Sequence, residues 1–267
     1  MFPYHQDVRI NELTLGVSNV DKSGRFYEKL LGLEAIKEND KVLLKSEEET
    51  LLILEETKED SFQREGLFHI AFLLESRQAL GEWFLYQKSR SVRIYGASDH
   101  IVSEAFYFED PDGHGVEVYS DRPKEEWIIK DSQVQMDTKA LDIASLVKGL
   151  KTPNKLSSRV KVGHMHLQVK DQKPMEEFYK KLGLQTMFDM GSAVFMAYSQ
   201  YHHHIAFNTW KRGILKDYQV GHNIVSFKLH LTPSLASQIP EELRENPNQD
   251  DLVLTDPIGI RIHLHIE

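Results

Sequence analysis

An internal repeat constrains this chain more than any other feature of its sequence. A short alternating segment, a Phe-Tyr pair and a Leu-Gly-Leu end occur twice in the same order, at residues 13–17, 26–27 and 31–33 and again at 164–169, 178–179 and 182–184. In both copies the Phe lies nine residues after the Val that ends the alternating segment. This pattern predicts a strand followed by a short amphipathic helix that ends at a glycine.

A second pair of matching segments lies further along each half of the chain. Asp110-Pro-Asp-Gly113 and Asp256-Pro-Ile-Gly259 each place Pro second and Gly fourth, and an alternating stretch comes next. Such residues favour a type I turn that leads into a strand. The chain therefore divides into four modules of the β-α-β-β-β type, and the predicted fold class is α+β. The modules lie at about residues 9–55, 66–120, 160–210 and 221–266.

The repeats also predict the domain organisation. Modules one and two make a first half at residues 1–120, and modules three and four make a second half at residues 159–267. Residues 121–158 are predicted to form the linker between the halves. A helix is expected within this linker, because apolar residues recur at helical spacing at Leu141, Ala144, Val147 and Leu150.

Composition excludes several classes of partner. With 32 Lys and Arg against 41 Asp and Glu, the formal charge is 32 − 41 = −9, and no basic stretch offsets it, so we expect no nucleic-acid partner. No apolar run approaches the roughly 18 residues that cross a bilayer, and the start of the chain lacks a signal-peptide pattern. We therefore expect a cytoplasmic protein with no membrane partner. The chain contains no Cys, so any metal must bind nitrogen and oxygen.

Histidines in apolar segments are the strongest functional signal among the 13 that the chain contains. His69 lies in an apolar run at residues 66–74, which predicts a buried strand, and Glu117 lies in another apolar strand. A buried carboxylate without a cation is costly, so the pair together favours a functional site over ordinary core packing. His164 and His166 are two residues apart and are expected to share one face of a strand.

The sequence resembles the vicinal oxygen chelate superfamily, which includes glyoxalase I, fosfomycin resistance proteins, bleomycin-binding proteins and extradiol ring-cleaving dioxygenases. The features that carry the resemblance are the first strands ending in Leu-x-Val, the Phe-Tyr-x-x-x-Leu-Gly helix ends and the Asp-Pro-Asp-Gly-x-x-Val-Glu strand. Paired modules in that family curl into a cup around a divalent metal. Four modules resemble the two-domain dioxygenases, of the catechol 2,3-dioxygenase kind, more than the two-module members.

The resemblance implies a metal-ligand set. The family's ligand places fall on six residues of this sequence: Glu12, His69, Glu117, His164, Ser226 and His263. One combination, His69, Glu117 and His164, gives two imidazoles and one carboxylate. That set suits Fe(II), which must hold both substrate and O₂, although Mn(II) or another divalent metal is also compatible. It requires modules two and three to share a cup, whereas most two-domain dioxygenases pair three with four.

Three further residues are expected in the active site. In the segment Tyr201-His202-His203-His204-Ile-Ala-Phe207, the family's acid-base histidine matches His203. The segment is expected to be a strand in which residues 202 and 204 share one face and 203 points the other way, so a phase shift by one residue would select His202 or His204 instead. Tyr107 matches a family tyrosine that hydrogen-bonds the substrate. His100 matches the histidine of an Asp-His-x-x-Ser segment, with a slightly longer spacing to the Glu.

The resemblance implies a non-haem Fe(II)-dependent extradiol dioxygenase that cleaves a catechol-type aromatic diol with O₂, as in aromatic catabolism. Two alternatives use the same scaffold: a glyoxalase-like isomerase or thiol transferase, which usually needs one more carboxylate ligand, and a non-catalytic small-molecule binder. The other cup would be formed by modules one and four. There Ser226 replaces a ligand at one of the family's places and His263 occupies another, and we expect no metal in this cup. Edge strands between modules make a homo-oligomer plausible.

Overall fold

The structure is a computed structural model that describes residues 8–47, 49–58, 64–131, 133–157, 159–211, 213–218, 223–237, 239–240 and 252–266. Sixteen strands of this part of the chain join in one sheet. Five short α-helices lie against it. The α+β fold of the glyoxalase and dioxygenase kind is therefore confirmed. No helix among the described residues has the length and apolar character needed to cross a membrane.

Modules one and two each contain one helix and four strands. Module one comprises β1 (Val8–Val17), α1 (Val20–Leu31), β2 (Glu34–Glu38), β3 (Lys41–Ser46) and β4 (Glu49–Glu56). Module two comprises β5 (Gly66–Leu74), α2 (Arg77–Ser89), β6 (Gly96–Asp99), β7 (Ser103–Glu109) and β8 (Gly115–Asp121). In both modules the helix begins within three residues of the end of the first strand. The N-cap side chains, Asn19 before α1 and Ser76 before α2, accept a hydrogen bond from the first turn and stabilise the start of the helix.

A connecting segment joins modules two and three. It contains a 3₁₀ helix at Lys124–Glu126, β9 (Ile129–Lys130), β10 (Gln133–Val134), β11 (Lys139–Ala140) and α3 (Ile143–Leu146). The short α3 lies within the stretch where the sequence predicts a helix. The separation into two halves and a linker stays a prediction, and its limits at residues 1, 158 and 267 lie outside the described residues.

Module three repeats the order of the first two modules. It comprises β12 (Val160–Gln168), α4 (Gln172–Lys181), β13 (Gln185–Asp189), β14 (Ala193–Ala197) and β15 (Ile205–Asn208). The described part of module four comprises β16 (Ile224–Leu231), α5 (Pro233–Ala236), β17 (Leu252–Thr255) and β18 (Arg261–Ile266).

The pairing of first strands decides which modules share a cup. β5 of module two pairs antiparallel with β12 of module three, and β1 of module one pairs in the same way with β16 of module four. We call the first arrangement cup two-three and the second cup one-four. Both pairings contain an irregularity at matching places, between His166 and Leu167 and between Thr14 and Leu15. Modules two and three therefore meet as the ligand set requires.

The two repeated motifs contact each other in the folded chain. The hydroxyl of Tyr27 donates to the carboxylate of Asp110 at 3.1 Å, and the hydroxyl of Tyr179 donates to Asp256 at 3.4 Å. Both tyrosines are fully buried. Each Phe-Tyr helix is thus fixed to the Asp-Pro turn of the following module, because a buried hydroxyl needs a hydrogen-bond partner.

Candidate metal centre and active-site cavity

Three neighbouring strands bring the predicted ligand set together. The sheet places β8, β5 and β12 side by side, and Ala71 of β5 lies in register with Glu117 on one side and His164 on the other. His69 lies two residues before Ala71 and so projects from the same face. The small methyl group of Ala71 leaves the space between the two larger side chains open. These strands therefore direct His69, Glu117 and His164 to one point.

The ligand atoms of this set lie within 4.8 Å of one another. Nε2 of His69 is 3.1 Å from Oε2 of Glu117, and Nε2 of His164 is 3.4 Å from the same oxygen. The two Nε2 atoms are 3.4 Å apart. All three residues are buried, and among the described residues no Lys or Arg forms an ion pair with Glu117. Two imidazoles and an otherwise uncompensated carboxylate fit a divalent cation held by nitrogen and oxygen.

The protonation states of the cluster suit metal binding. Burial by itself raises the pKa of Glu117, but the imidazoles of His164 and His69 hold that pKa well below its ordinary value. Burial lowers the pKa of His164 to about 4, against the opposing effect of Glu117. At neutral pH the carboxylate is therefore charged and the imidazole of His164 neutral. These are the forms in which both groups bind a metal.

A cavity of about 550 Å³ opens beside the cluster. Its lining includes the three clustered residues and His203, together with apolar side chains, among them Phe188, Met190, Phe195 and Trp210. No Lys or Arg of the described chain lines it. The volume falls within the range of about 300–1,000 Å³ for small-molecule sites, and the lining favours an uncharged ring.

Tyr107 and His100 form a hydrogen-bonded pair on one wall of this cavity. Tyr107 lies opposite Glu117 across β7 and β8, and its hydroxyl is 2.5 Å from Nε2 of His100. Nδ1 of His100 lies 2.9 Å from the backbone carbonyl of Asp137. Burial and the charge of Glu117 raise the pKa of Tyr107 well above its ordinary value, so the hydroxyl keeps its proton. Both residues thus lie where the sequence predicts substrate-contacting groups.

The three consecutive histidines do not form a strand, which corrects the expectation from sequence. β15 begins only at Ile205, and the chain enters the preceding loop through Ser199 and Gln200, which both have positive φ. His203 lines the cavity, with its ring 4.0 Å from that of His164. Burial lowers the pKa of His203 well below its ordinary value. Strand alternation therefore does not decide which histidine faces the site.

The other two histidines of the loop face away from the cavity. His202 is fully buried, and its Nε2 lies 2.9 Å from a carboxylate oxygen of Asp121. His204 is also buried and accepts a hydrogen bond from the backbone of Tyr198. His166 lies further along β12, where it lines the cavity and contacts Asn208 at 3.1 Å. Burial lowers the pKa of His166 well below its ordinary value.

Sequence reasoning missed part of the cavity. Met136, Asp137 and Thr138 of the connecting segment line it, because β11 pairs with β6 and carries this segment to the edge of module two. Trp210 also lines the cavity and is 50% exposed. No local motif marks these residues, since their position depends on long-range strand pairing.

Cup one-four holds a different set at the matching places. Lys228 pairs with His263 in the way that Ala71 pairs with Glu117 in cup two-three. The ammonium of Lys228 lies 2.6 Å from the carboxylate of Glu12. The group of potential metal-binding residues found in the described chain lies in cup two-three. A lysine thus neutralises the carboxylate of cup one-four.

Comparison with known proteins places this architecture in a family. The catechol-2,3-dioxygenase of Bacillus subtilis (strain 168) is 35% identical to this chain over 222 residues, which covers 79% of this chain and 78% of the relative. This chain belongs to the glyoxalase/bleomycin resistance protein/dioxygenase superfamily. The superfamily's sequence profile matches residues 9–118. The resemblance inferred from the repeated motifs is therefore confirmed.

Other members of the glyoxalase/bleomycin resistance protein/dioxygenase superfamily resemble parts or all of the chain. The metallothiol transferase FosB of Staphylococcus epidermidis is 30% identical over 115 residues, 42% of this chain and 82% of that relative. A crystal structure of a proposed dioxygenase from Bacillus subtilis aligns with a TM-score of 0.63 at 11% identity, over 97% of this chain and 85% of the other. Glyoxalase I from Zea mays aligns with a TM-score of 0.52 at 14% identity, over 96% of this chain and 92% of the other. These structures show the shared fold.

Proposed function

We propose that this protein is a non-haem Fe(II)-dependent extradiol dioxygenase that cleaves the ring of a catechol-type aromatic diol with O₂. The observation that carries the proposal is the buried cluster of His69, Glu117 and His164 beside an apolar cavity. Two imidazoles and one carboxylate leave coordination positions open for further ligands. The relative named as a catechol-2,3-dioxygenase supports the same reaction type. The proposal includes a cytoplasmic location and a role in aromatic catabolism.

His69, Glu117 and His164 would hold the metal. Bound Fe(II) would supply acidity to the coordinated diol and the one-electron chemistry that O₂ requires. The remaining tasks belong to the chain: to orient the aromatic ring, to exclude water from the cavity and to move the protons of the diol. His203 lies in ring contact with His164 and is therefore placed to exchange a proton with a diol held at the cluster.

Tyr107 would orient the diol as a hydrogen-bond acceptor. The Asp137 carbonyl can only accept, so Nδ1 of His100 carries the hydrogen, which leaves Nε2 to accept. The Tyr107 hydroxyl therefore donates to His100. Its oxygen also forms a hydrogen bond with the Ser98 side chain, and one lone pair remains to accept from a hydroxyl of the substrate.

The apolar side of the cavity favours a neutral catechol over a carboxylated one. Phe195 and Trp210 offer ring faces to an aromatic substrate, and no cation lines the described cavity to neutralise a carboxylate. Asp137 also lines the cavity and adds negative charge near it, which disfavours an anion. We therefore expect catechol and alkylcatechols to bind better than 3,4-dihydroxybenzoate.

The test is O₂ uptake by protein loaded anaerobically with Fe(II) and mixed with a panel of catechols. Uptake with a ring-opened product that absorbs visible light is the expected result, and the His164→Ala variant should show none. His263→Ala is the control, because it removes a histidine from the place in cup one-four that corresponds to Glu117. Bound stoichiometric metal without uptake of O₂ for any diol would overturn the proposal.

Similarity to FosB over 115 residues makes thiol transfer the second candidate. The additional carboxylate ligand that such an enzyme usually needs is expected on the strand that is β15 here. β15 contains Ile205, Ala206, Phe207 and Asn208, and none of them is acidic. Consumption of a thiol and an electrophile by Mn(II)- or Mg(II)-loaded protein, without O₂ uptake, would support this candidate. Failure to bind any metal would support the non-catalytic binder.

A further inference from the structure

A series of three hydrogen-bonded side chains leads from the cavity into the protein interior. Nδ1 of His203 lies 2.8 Å from Nδ1 of His202, and Nε2 of His202 lies 2.9 Å from Oδ1 of Asp121. His202 is fully buried, and the side chain of Asp121 is 9% exposed. Asp121 ends β8 of module two, whereas both histidines precede β15 of module three. These three hydrogen-bonded side chains thus connect modules two and three, as the metal cluster does.

Asp121 is itself held in place by a buried tyrosine. The hydroxyl of Tyr201 donates to the Asp121 carboxylate at 3.0 Å and lies 2.8 Å from the hydroxyl of Tyr119. The ring of Trp127 packs against His202, with 5.3 Å between ring centroids. These contacts leave the carboxylate and the His202 ring little freedom to exchange partners.

The direction of each hydrogen bond follows from the chemistry of its acceptor. A carboxylate only accepts, so Nε2 of His202 carries the hydrogen that bonds to Asp121. With the His202 hydrogen on Nε2, Nδ1 of His202 is the acceptor, and we assign the hydrogen between the two facing Nδ1 atoms to His203. Nε2 of His203 is left with a lone pair, on a ring that lines the cavity.

We propose that Asp121 and His202 are positioning residues that hold His203 in the tautomer with a free Nε2 lone pair, so that His203 accepts a proton from the substrate. The proposal rests on the proposed function for the identity of the proton donor. In the step, the O–H bond of a diol hydroxyl breaks, an N–H bond forms at Nε2, and the electron pair stays on oxygen. The imidazolium that forms is stabilised through His202 by the negative charge of Asp121.

The tautomer is measurable without metal or substrate. In ¹⁵N-labelled metal-free protein, the imidazole resonances of His203 should show a protonated Nδ1 and an unprotonated Nε2. A wild-type spectrum with the hydrogen on Nε2 would overturn the proposal, even if no variant folds. This readout does not depend on turnover, so it separates the proposal from the proposed function.

Asp121→Asn is the first variant. The amide can donate as well as accept, so His202 is free to reverse and the Nδ1–H preference of His203 should weaken. With a catechol substrate, kcat should fall by about 10- to 100-fold while KM and metal content stay unchanged. A merely structural role would lower metal content as well. An unchanged kcat and an unchanged tautomer would contradict the proposal.

Asp110→Asn is the matched control. Asp110 also accepts from a buried histidine, since Nδ1 of His114 lies 2.9 Å from its carboxylate. That pair lies in the turn before β8, and its contacts lead to Tyr27 rather than to His203. The tautomer of His203 should remain as in the wild type. If it changed equally in both variants, loosening of module two would explain the effect and the proposal would fail.

Discussion

The two cups have the same strand pairing but differ in how the negative charge of their carboxylates is balanced. In cup two-three, a carboxylate faces two imidazoles and is buried, so a cation is required to balance it. In cup one-four, the carboxylate of Glu12 meets Lys228, and both side chains stay about one-third exposed. The first arrangement fits a cation from outside the chain. The second balances its carboxylate with a lysine of the chain itself, so the two cups differ in where the positive charge comes from.

Removal of a ligand should have the largest effect. His164→Ala should abolish stoichiometric binding of a divalent metal, with a loss of affinity beyond the roughly 100-fold typical for residues that only support a ligand. His263→Ala, a histidine change at the place in cup one-four that corresponds to Glu117, should leave metal content as in the wild type. Metal analysis after dialysis checks both. A drop in metal content in the His263 variant would show that the two cups are not as different as described.

The carboxyl group of Asp256, in the turn of module four, should make the stability of the fold fall as pH rises. Burial raises the pKa of Asp256 to about 6 from 3.8, so the folded chain keeps a proton that the unfolded chain has lost. The stability from this group is complete below about pH 4 and is lost as pH rises through about 6, up to about 3 kcal/mol. Asp256→Asn should flatten this part of the curve. Denaturant unfolding at several pH values measures the slope, and an equal slope in both proteins would contradict the assignment.

The residue before His164 and its counterpart in cup one-four differ in the size of side chain that their surroundings accept. A Cβ on Gly163 would lie 1.8 Å from the hydroxyl oxygen of Tyr119, which is fully buried. Gly163→Ala should therefore destabilise the fold by about 1–3 kcal/mol. Cup one-four has Asn11 at this place, and Asn11→Ala should cost about 1 kcal/mol through lost hydrogen bonds. Urea unfolding compares the two, and a larger loss in the Asn11 variant would reverse the order.

The lysine of cup one-four should have the smallest effect. Lys228→Met removes the ion pair with Glu12, but both groups are partly solvated, so the loss should stay below about 1 kcal/mol. Metal binding to cup two-three should not change. A thermal shift assay with and without added Mn(II) checks both points. A second bound metal in this variant would mean that the lysine alone had kept cup one-four empty.

Sequence patterns predicted those features that depend only on repetition along the chain. The positions of His69, Glu117 and His164 on matching strands, and the α+β fold with its paired modules, follow from repeated motifs and from family resemblance. The sequence left the pairing of modules open, because the partner of a strand is decided by packing between distant segments. The register of β5 with β12 resolves it.

The histidine loop and the connecting segment show where such patterns fail. The segment before Ile205 consists of Tyr201 and three histidines, so no alternation of polar and apolar residues distinguishes a strand from a packed loop. The turn depends on Ser199 and Gln200, residues with no strong preference for positive φ. Asp137 reaches His100 only because β11 extends the sheet beside β6. Neither arrangement has a local signature.

The cluster in cup two-three also joins distant parts of the chain. His69 and Glu117 come from module two and His164 from module three, so a cation held by all three would cross-link the modules. A chain without cysteine has no disulfide to do this. Metal supply would then govern how long the folded protein survives in the cell as well as whether it works, since a ligand that binds only the folded state draws the unfolding equilibrium toward it.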